Sequence, residues 1–381
     1  MSEVQDMQGV RTQVSLVEFF SDVADPRIER NKKHKLIDIL VISICAIIAG
    51  CEACTQIAEF GHRKESFLRT FLELPNGIPS HDTFCRVLRL TDPAEVQKCF
   101  MRFSAALREA SGGKFIALDG KTERRAFDKG QSPLHLINAW CTDMGLSLGQ
   151  LAVDKKSNEI NAIPELLDLL ELEGTTVTID AAGCQRAIAT KIRQRKADYV
   201  LVVKKNQPTL FAEIEAFFQG LPQDATLPED GFAQSYDLGH GREEIRRCLA
   251  AAVPESMSSR TLWRDLKTIA KIESHRSEGG RQQSEVRYVI SSLPPVARDI
   301  AHAVRTHWMI ENGLHWVLDV TFDEDRCRIR KDNGPDNMGA LRRLAVTLLK
   351  QEPTKQSIAT KRLVAGWDND YLFKVIAGSK I

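Results

Sequence analysis

Two short apolar runs in this sequence end on an aspartate and then pass into small residues. Residues 114–118 lead into Asp119 and Gly120, and residues 176–179 lead into Asp180. Runs of this kind are typical of buried β-strands, and α/β proteins place their chemistry at the edge of the sheet where such strands end. Two strands that bring carboxylates to the same edge predict a metal site.

A third carboxylate lies on a predicted helix from about residue 297 to 318. Counting by three and four residues places Glu311 at the centre of an apolar stripe that also carries His307 and His315. Glutamate is almost never buried without a partner. A metal ion would supply that partner, and an ion-pair network with either histidine is the alternative.

Two other kinds of phosphate chemistry fit the spacing poorly. Gly120-Lys121-Thr122 ends like a phosphate-binding loop, but the required glycine five residues earlier is Phe115. No Walker-type loop is therefore predicted. A phosphatase with an aspartyl nucleophile would need a second aspartate at position 121, which is a lysine, so this alternative is weak.

The elements around the carboxylates predict an α/β domain. After the Asp119 strand, residues 134–141 and 146–153 have β character, and Thr142-Asp143-Met144-Gly145 between them is a hairpin signature. A helix at 159–172, the Asp180 strand, a helix at 185–195 and a strand at 199–203 follow. The predicted order is three strands, helix, strand, helix, strand.

The flanking regions have a different character. Residues up to about 110 read as an all-helical N-terminal domain, in which Ser80 opens a short helix that exposes Arg86 and Arg89. That helix suits a helix-turn-helix DNA-binding unit or, equally, a plain helical bundle. Residues from about 208 to 290 read as a β-rich insertion, and residues 351–381 as a C-terminal tail.

Composition sets broad limits on the class of protein. The 381 residues include 43% hydrophobic residues and carry a net charge of +1, so any basic DNA-binding surface must be local. Nine cysteines, scattered among apolar neighbours, indicate reduced thiols in a cytoplasmic protein. The apolar run at 39–49 is too short to span a bilayer, and no signal peptide opens the chain, so no membrane partner is expected.

The motifs resemble those of the DDE transposases of bacterial insertion sequences. The resemblance rests on the run from His307 to Phe322 with Glu324-Asp325, on 118–121 and on 179–181, and it is strongest to the ISAs-type, H-repeat-associated branch. It implies a ribonuclease H-like catalytic domain over residues 111–350, interrupted by the β-rich insertion. The implied triad and metal ligands are Asp119, Asp180 and Glu311, with Mg²⁺ or Mn²⁺ as cofactor, present as two ions.

The resemblance also implies the partners. These are double-stranded DNA, as element ends and target, and a second copy of the chain in the DNA complex. The wider relatives carry a tyrosine, an arginine and a lysine around the glutamate, where this sequence has Val304, His307 and Leu318. Contacts to DNA are therefore expected from other cations, namely Lys121, Lys204, Lys205, Arg305, Arg326 and Arg328.

Two alternative functions stay open from the sequence. One is a nuclease or resolvase on the same fold, which would hydrolyse DNA without joining it. The other is a transposase-derived DNA-binding protein in which the three carboxylates are unused.

Overall fold

A mixed nine-stranded sheet forms the centre of the protein. The computed structural model describes residues 16–123, 134–153, 158–221, 228–239 and 242–377. The strands are β1 Phe115–Glu123, β2 Leu134–Cys141, β3 Leu146–Ala152, β4 Thr176–Ile179, β5 Asp198–Val203, β6 Phe232–Gly239, β7 Arg242–Ala252, β8 Thr268–Glu278 and β9 Arg281–Ser291. Their order across the sheet is β3-β2-β1-β4-β5-β9-β8-β7-β6.

Helices surround this sheet and precede it in the chain. They are α1 Leu16–Phe20, α2 Leu36–Ile48, α3 Cys54–Arg63, α4 Glu65–Leu68, α5 His81–Leu90, α6 Pro93–Ser111, α7 Glu159–Leu169, α8 Arg186–Gln194, α9 Pro208–Gln219, α10 Ala297–His307, α11 Gly334–Gln351, α12 Ile358–Trp367 and α13 Asn369–Ile376. The protein is thus a mixed α/β structure with helices at its N-terminal end.

The first five strands follow the predicted order. β1, β2 and β3 form an antiparallel meander, and β4 and β5 add to β1 in parallel. The turn between β2 and β3 has Gly145 at φ 65°, a left-handed conformation that glycine adopts without steric cost. The hairpin and the order of strands and helices are confirmed.

The remaining strands extend the same sheet. β5 pairs antiparallel with β9, and β8, β7 and β6 follow as antiparallel neighbours. The region from about 208 to 290, in which the sequence indicated β-rich structure, contains the helix α9 followed by strands β6 to β9. The outer part of β9 is exposed on both faces, so it lacks the apolar alternation that reveals a strand.

The N-terminal helices share a core with the sheet. All but one of the thirteen residues of α2 are buried, and α2 and α5 pack against α11. Asn337 on α11 donates hydrogen bonds to the carbonyls of Leu88 and Thr91 at 2.8 and 2.9 Å. One continuous hydrophobic core joins the two parts.

The C-terminal residues are helical where the sequence suggested only a tail. α12 and α13 cover this region up to Ile376, and residues 378–381 lie outside the described chain. Arg362 of α12 donates a hydrogen bond of 3.0 Å to the Ile47 carbonyl at the end of α2. Its guanidinium also lies over the Phe322 ring, 3.9 Å from the centroid. These contacts hold the short helix α12 against residues that are distant from it in the sequence.

The cysteines differ from expectation at two positions. Cys54 on α3 and Cys85 on α5 form a disulfide with Cα atoms 5.7 Å apart, because the two helices pack side by side. Seven other cysteines are free thiols, so the expectation of reduced thiols is wrong for this pair. Among the described helices, none combines the length and the apolar character needed to cross a membrane.

Candidate active site

The parallel pairing of β1 and β4 places two carboxylates side by side. Leu118 is in register with Ile179, where the parallel pairing ends; Asp119 comes next within β1, and Asp180 directly follows β4. Both aspartates line one cleft. Asp180 Oδ1 accepts hydrogen bonds from the backbone N–H groups of Ala182 and Gly183 at 3.0 and 3.4 Å, which orients its carboxylate. The sequence therefore located this edge of the sheet.

Glu311 lies on a wide helical segment that follows α10. Residues Glu311–His315 and Val317–Thr321 form π-helical turns, so the chain does not continue the regular α-helix assumed from the sequence. The Glu311 side chain is 52% exposed. The expectation of a glutamate at the centre of a buried stripe is therefore wrong, because the π-helical turns change the angular spacing that the stripe assumed.

His315 joins the carboxylates into a cluster. Its Nδ1 lies 3.5 Å from Asp119 Oδ2 and 3.4 Å from Glu311 Oε2. One ligand atom from each of the three residues falls within 4.8 Å of the others. His315 Nε2 is buried and has no hydrogen-bond partner among the described residues. Asp180 is outside this group of three in the present arrangement.

The electrostatics of the cluster are those of closely spaced carboxylates. Burial raises the pKa of Asp119 to about 7, and the negative charges of Glu311 and Asp180 add to the effect. A hydrogen bond from His315 lowers the pKa of Glu311 below its ordinary value. The surroundings of Asp119 thus disfavour its charged carboxylate, and a bound cation would stabilise that charged form.

His307 has a different role from that considered at the sequence level. Its Nδ1 lies 3.0 Å from the Thr178 hydroxyl on β4, and burial lowers the pKa of its imidazole to about 4. A buried neutral imidazole in this position ties the end of α10 to β4. It is not part of the group of ligand atoms around Asp119.

A fourth carboxylate beside the site was missed in the sequence. Glu159, in the first turn of α7, has Oε1 2.7 Å from His135 Nε2 and lines the same cleft as the two aspartates. A Cβ atom at position 120 would lie 2.1 Å from Glu159 Oε1, so any side chain there would displace the Glu159 carboxylate from this position. The sequence signal that could have located this carboxylate is Asn158. Its side chain caps the N-terminus of α7 and so places Glu159 in the first turn of that helix.

Lys121 is buried rather than open to phosphate. Only 6% of its side chain is exposed, and its Nζ lies 2.5 Å from Asp319 Oδ1 and 3.4 Å from Glu324 Oε2. The expectation that Lys121 faces DNA backbone does not fit this position. Alternation along β1 turns position 121 to the same face as Asp119, and there it meets the segment that carries Asp319 and Glu324.

Behind Lys121, a buried ion pair connects the site to α11. Arg343 Nη1 donates a hydrogen bond of 3.0 Å to Glu324 Oε1, and both side chains are fully buried. Arg343 Nε donates a second bond, of 2.6 Å, to Asn138 Oδ1. Asn138 is the partner of Asp119 across β1 and β2. The network therefore holds the strand that carries Asp119.

Two of the other predicted DNA-contacting cations lie next to the carboxylate edge. Lys204 and Lys205 are exposed in the turn after β5. Asn206 and Gln207 of this turn donate hydrogen bonds of 2.7 and 2.9 Å to the carbonyls of Ala181 and Cys184. Those bonds fasten the turn to the one that follows Asp180, so both lysines are presented beside it.

The remaining predicted cations lie on other elements. Arg305, on α10, forms an ion pair with Asp237 at 2.7 Å. Arg326 is exposed, 3.6 Å from Asp323, and Arg328 is exposed on the segment that leads into α11.

The fold and site define an α/β protein with carboxylates where the parallel pairing of two strands ends and on a neighbouring helical segment. The chain belongs to the DDE transposase family, because the model of the family described as "Transposase DDE domain" matches residues 110–348. The model described as "DDE_Tnp_1-associated" matches residues 17–104. The resemblance to DDE transposases noted in the sequence is confirmed.

Similar proteins carry the same family name. A putative transposase, YncI, of Escherichia coli O157:H7 is 38% identical over 95% of this chain and 94% of its own length. The H repeat-associated putative transposase YhhI of Escherichia coli K12 is 39% identical over 96% of this chain and 98% of its own. A piggyBac transposase synaptic complex with hairpin DNA aligns at TM-score 0.45 and 10% identity, over 97% of this chain and 84% of that chain.

The donor set suits a divalent cation. Carboxylate oxygens are the ligands preferred by Mg²⁺ and Mn²⁺, and an imidazole nitrogen is also acceptable to Mn²⁺. Here Asp119, Glu311 and His315 converge from β1 and the π-helical segment, with the raised pKa of Asp119 marking a need for positive charge. The residues present therefore fit the divalent metal chemistry of DDE domains.

Proposed function

We propose that this protein is the DNA transposase of a bacterial insertion sequence. It binds the ends of the element and carries out metal-dependent phosphodiester cleavage followed by strand transfer. The observation that carries the proposal is the convergence of Asp119 with Asp180, where the parallel pairing of β1 and β4 ends, and with Glu311 through the group it forms with His315, in a chain of the DDE family.

The catalytic domain is proposed to be ribonuclease H-like. An antiparallel meander, β1 to β3, followed by parallel β4 and β5 supports this assignment. In this proposal residues 1–110 form the helical DNA-binding domain and residues 111–350 the catalytic domain, with a β-rich insertion at about 208–290. Residues 351–381 form the C-terminal segment, and residues 1–15 lie outside the described chain.

Asp119, Asp180 and Glu311 are proposed to hold Mg²⁺ or Mn²⁺, as two ions. When bound, two divalent ions would neutralise charge on the attacking and leaving oxygens and lower the pKa of bound water. His315 contacts both Asp119 and Glu311 and so positions these two carboxylates relative to each other. The hydrogen bonds to Asp180 Oδ1 leave its second oxygen, Oδ2, for a ligand.

The chain's own residues also bind and orient DNA in this proposal. Lys204 and Lys205 extend from the turn beside Asp180 and are suited to contact backbone phosphates of double-stranded DNA. Two element ends must be processed together, so the active complex is proposed to be a homodimer. The protein is proposed to act in the cytoplasm, at the nucleoid when bound to DNA.

A strand-transfer assay tests the proposal. The substrates are a labelled duplex from the DNA flanking the coding region and a supercoiled target, with Mn²⁺ or Mg²⁺. Transposase activity predicts cleavage at the element end and a joined product. Cleavage without joining would identify a nuclease or resolvase, and specific binding without cleavage would identify a silent DNA-binding protein.

A further inference from the structure

A groove lined by arginines lies between α10 and the outer strands of the sheet. Its volume is about 420 Å³, and the described residues that line it include no aspartate or glutamate. The five arginines of this groove, here called the arginine groove, are Arg246, Arg247, Arg287, Arg298 and Arg305. None of its members except Arg305 was recognised as a DNA contact from the sequence.

The positive charge of the arginine groove is only partly neutralised. Arg246 and Arg305 share Asp237, and Arg246 also contacts Glu244, while Arg287 pairs with Glu285. The five guanidinium groups are thus balanced by only three paired carboxylates. A cleft with a surplus of one charge concentrates ions of the opposite sign.

Two arginines of the groove have no carboxylate partner among the described residues. Arg247 is exposed and donates a hydrogen bond of 3.1 Å to the neutral Gln234 side chain. Arg298 is exposed in the first turn of α10, and no ion pair to it is found in the described part of the chain. Both guanidinium groups therefore keep donors available for an anion.

Aromatic side chains border the same groove. Trp308, at the end of α10, is 41% exposed, and Phe232, the first residue of β6, is 50% exposed. The Arg287 guanidinium lies over the Trp308 ring, 4.5 Å from its centroid, which holds the ring in place. Exposed aromatics interleaved with arginines are typical of surfaces that bind nucleic-acid strands.

The groove is close to the carboxylate site along the chain. Trp308 is the C-cap residue of α10, three residues before Glu311 in the chain. Arg305 precedes Glu311 by six residues, which span at most about 22 Å even when fully extended. One DNA strand advances about 3.4 Å per nucleotide, so this separation corresponds to at most about six nucleotides.

We propose that the arginine groove binds backbone phosphates of the DNA strand within a few nucleotides of the phosphodiester that is cut. This inference rests on the proposed transposase function and adds a binding surface to it. Guanidinium groups form bidentate hydrogen bonds to phosphate oxygens, and such contacts fix the register of the DNA without reading its sequence. The groove thus positions the strand for the carboxylates.

The test uses Arg247→Ala combined with Arg298→Ala in the full chain. Both side chains are exposed and neither is a proposed metal ligand, so the variant should fold normally. The matched control is Arg264→Ala, an arginine 66% exposed in the loop before β8 and outside the groove. Binding of an element-end duplex is measured over a range of salt concentrations for parent, variant and control.

We expect the double variant to lose affinity for the duplex by at least about tenfold. The slope of log affinity against log salt concentration should become shallower by about two, because each phosphate contact contributes about 0.9 to that slope. The control should behave like the parent. Neutral methylphosphonates at the phosphates next to the cleavage position should weaken binding by the parent but not by the double variant. Parental affinity and slope in the double variant would overturn the inference.

A second arm separates DNA from small anions and from failure of the proposed function. Pyrophosphate that raises the melting temperature of the parent but not of the double variant, with DNA affinity unchanged, would identify a small-anion site and overturn the inference. Cleavage of the same duplex by the parent in Mn²⁺ tests the transposase function independently. Parental cleavage with no effect of the double substitution on binding would reject the groove and leave the function standing.

Discussion

His315 Nδ1 lies 3.5 Å from Asp119 Oδ2, so a histidine on the π-helical segment faces an aspartate in the middle of β1. The same nitrogen lies 3.4 Å from Glu311 Oε2. One buried imidazole therefore sets the separation of two carboxylates that come from elements far apart in the sequence. This contact defines the geometry on which the first predictions depend.

Removal of any one of the three carboxylates should abolish cleavage. We expect Asp119→Ala, Asp180→Ala and Glu311→Ala each to lower the rate of cleavage of element-end DNA by at least about 100-fold, because a cation loses a ligand that no neighbour replaces. Asp299→Ala, which removes an exposed carboxylate in the first turn of α10, is the control. A rate within tenfold of the parent would remove that residue from the site.

Asp180→Asn should stabilise the metal-free protein. The asparagine Oδ1 can still accept the hydrogen bonds from the N–H groups of Ala182 and Gly183. The negative charge of Asp180, which adds to the rise in the pKa of Asp119, is lost. We expect a higher melting temperature in chelator, a smaller increase with Mn²⁺ and no cleavage, because Mn²⁺ stabilises the folded state by mass action. A lower melting temperature in chelator with an unchanged Mn²⁺ response would instead indicate a structural salt bridge.

Glu324→Gln should destabilise the fold strongly. It removes the negative charge of Glu324, which pairs with Arg343 in a fully buried site, and loss of one partner of a buried pair costs about 3–5 kcal/mol. Asp332→Asn is the control, because its pair with Arg89 is exposed and such pairs contribute about 0–1 kcal/mol. Urea denaturation measures both free energies of unfolding, and equal small losses would show that the buried network is dispensable.

The free energy of unfolding should fall at acid pH as Glu352 becomes protonated. Burial acts to raise the pKa of this carboxyl, but hydrogen bonds from Thr354, Lys361 and Tyr371 outweigh it and lower the pKa to about 2. Because the folded pKa lies below 4.5, the ordinary value of a glutamate in an unfolded chain, the stabilisation is present above pH 4.5 and lost as pH falls toward 2.

Glu352→Gln should therefore lower the free energy of unfolding by on the order of 2–3 kcal/mol at pH 7. The difference from the parent should shrink between about pH 4.5 and pH 3, which urea denaturation at several pH values measures. Glu173→Gln serves as the comparison, because its pair with Lys196 is more than 70% exposed on both sides. A difference that is constant with pH would mean that the glutamine loses packing rather than charge.

Helix α5 should contribute to DNA binding. Arg86 is exposed on this helix and makes no ion pair with any residue that the structure describes. We expect Arg86→Ala to weaken binding of element ends and to lower the salt slope by about 0.9. Arg63→Ala on α3 is the control, since Glu59 already balances its charge.

A point substitution is the suitable test because removal of residues 1–110 would expose the faces of α11 that pack on α2 and α5. Parental affinity and slope in Arg86→Ala, with normal folding, would assign the N-terminal helices a structural role.

The sequence by itself determined the central strands and the two aspartates beside them, although β1 does not end at Asp119 as expected but continues to Glu123. Apolar runs bounded by turn residues are local signals, and the hairpin between β2 and β3 carries its own turn chemistry. The residues around Glu311 identified the family without any knowledge of contacts. These features could be predicted because neighbours within a few residues decide them.

Only the tertiary structure decided which partners those residues meet. Lys121 was expected at the DNA, yet it pairs with Asp319, which lies 198 residues away in the chain. Glu311 was expected to be buried, and π-helical turns open it to solvent while His315 takes the buried place beside Asp119. Periodicity shows which face of an element is apolar. The partner of that face depends on the pairing of distant strands and helices, which no local pattern encodes.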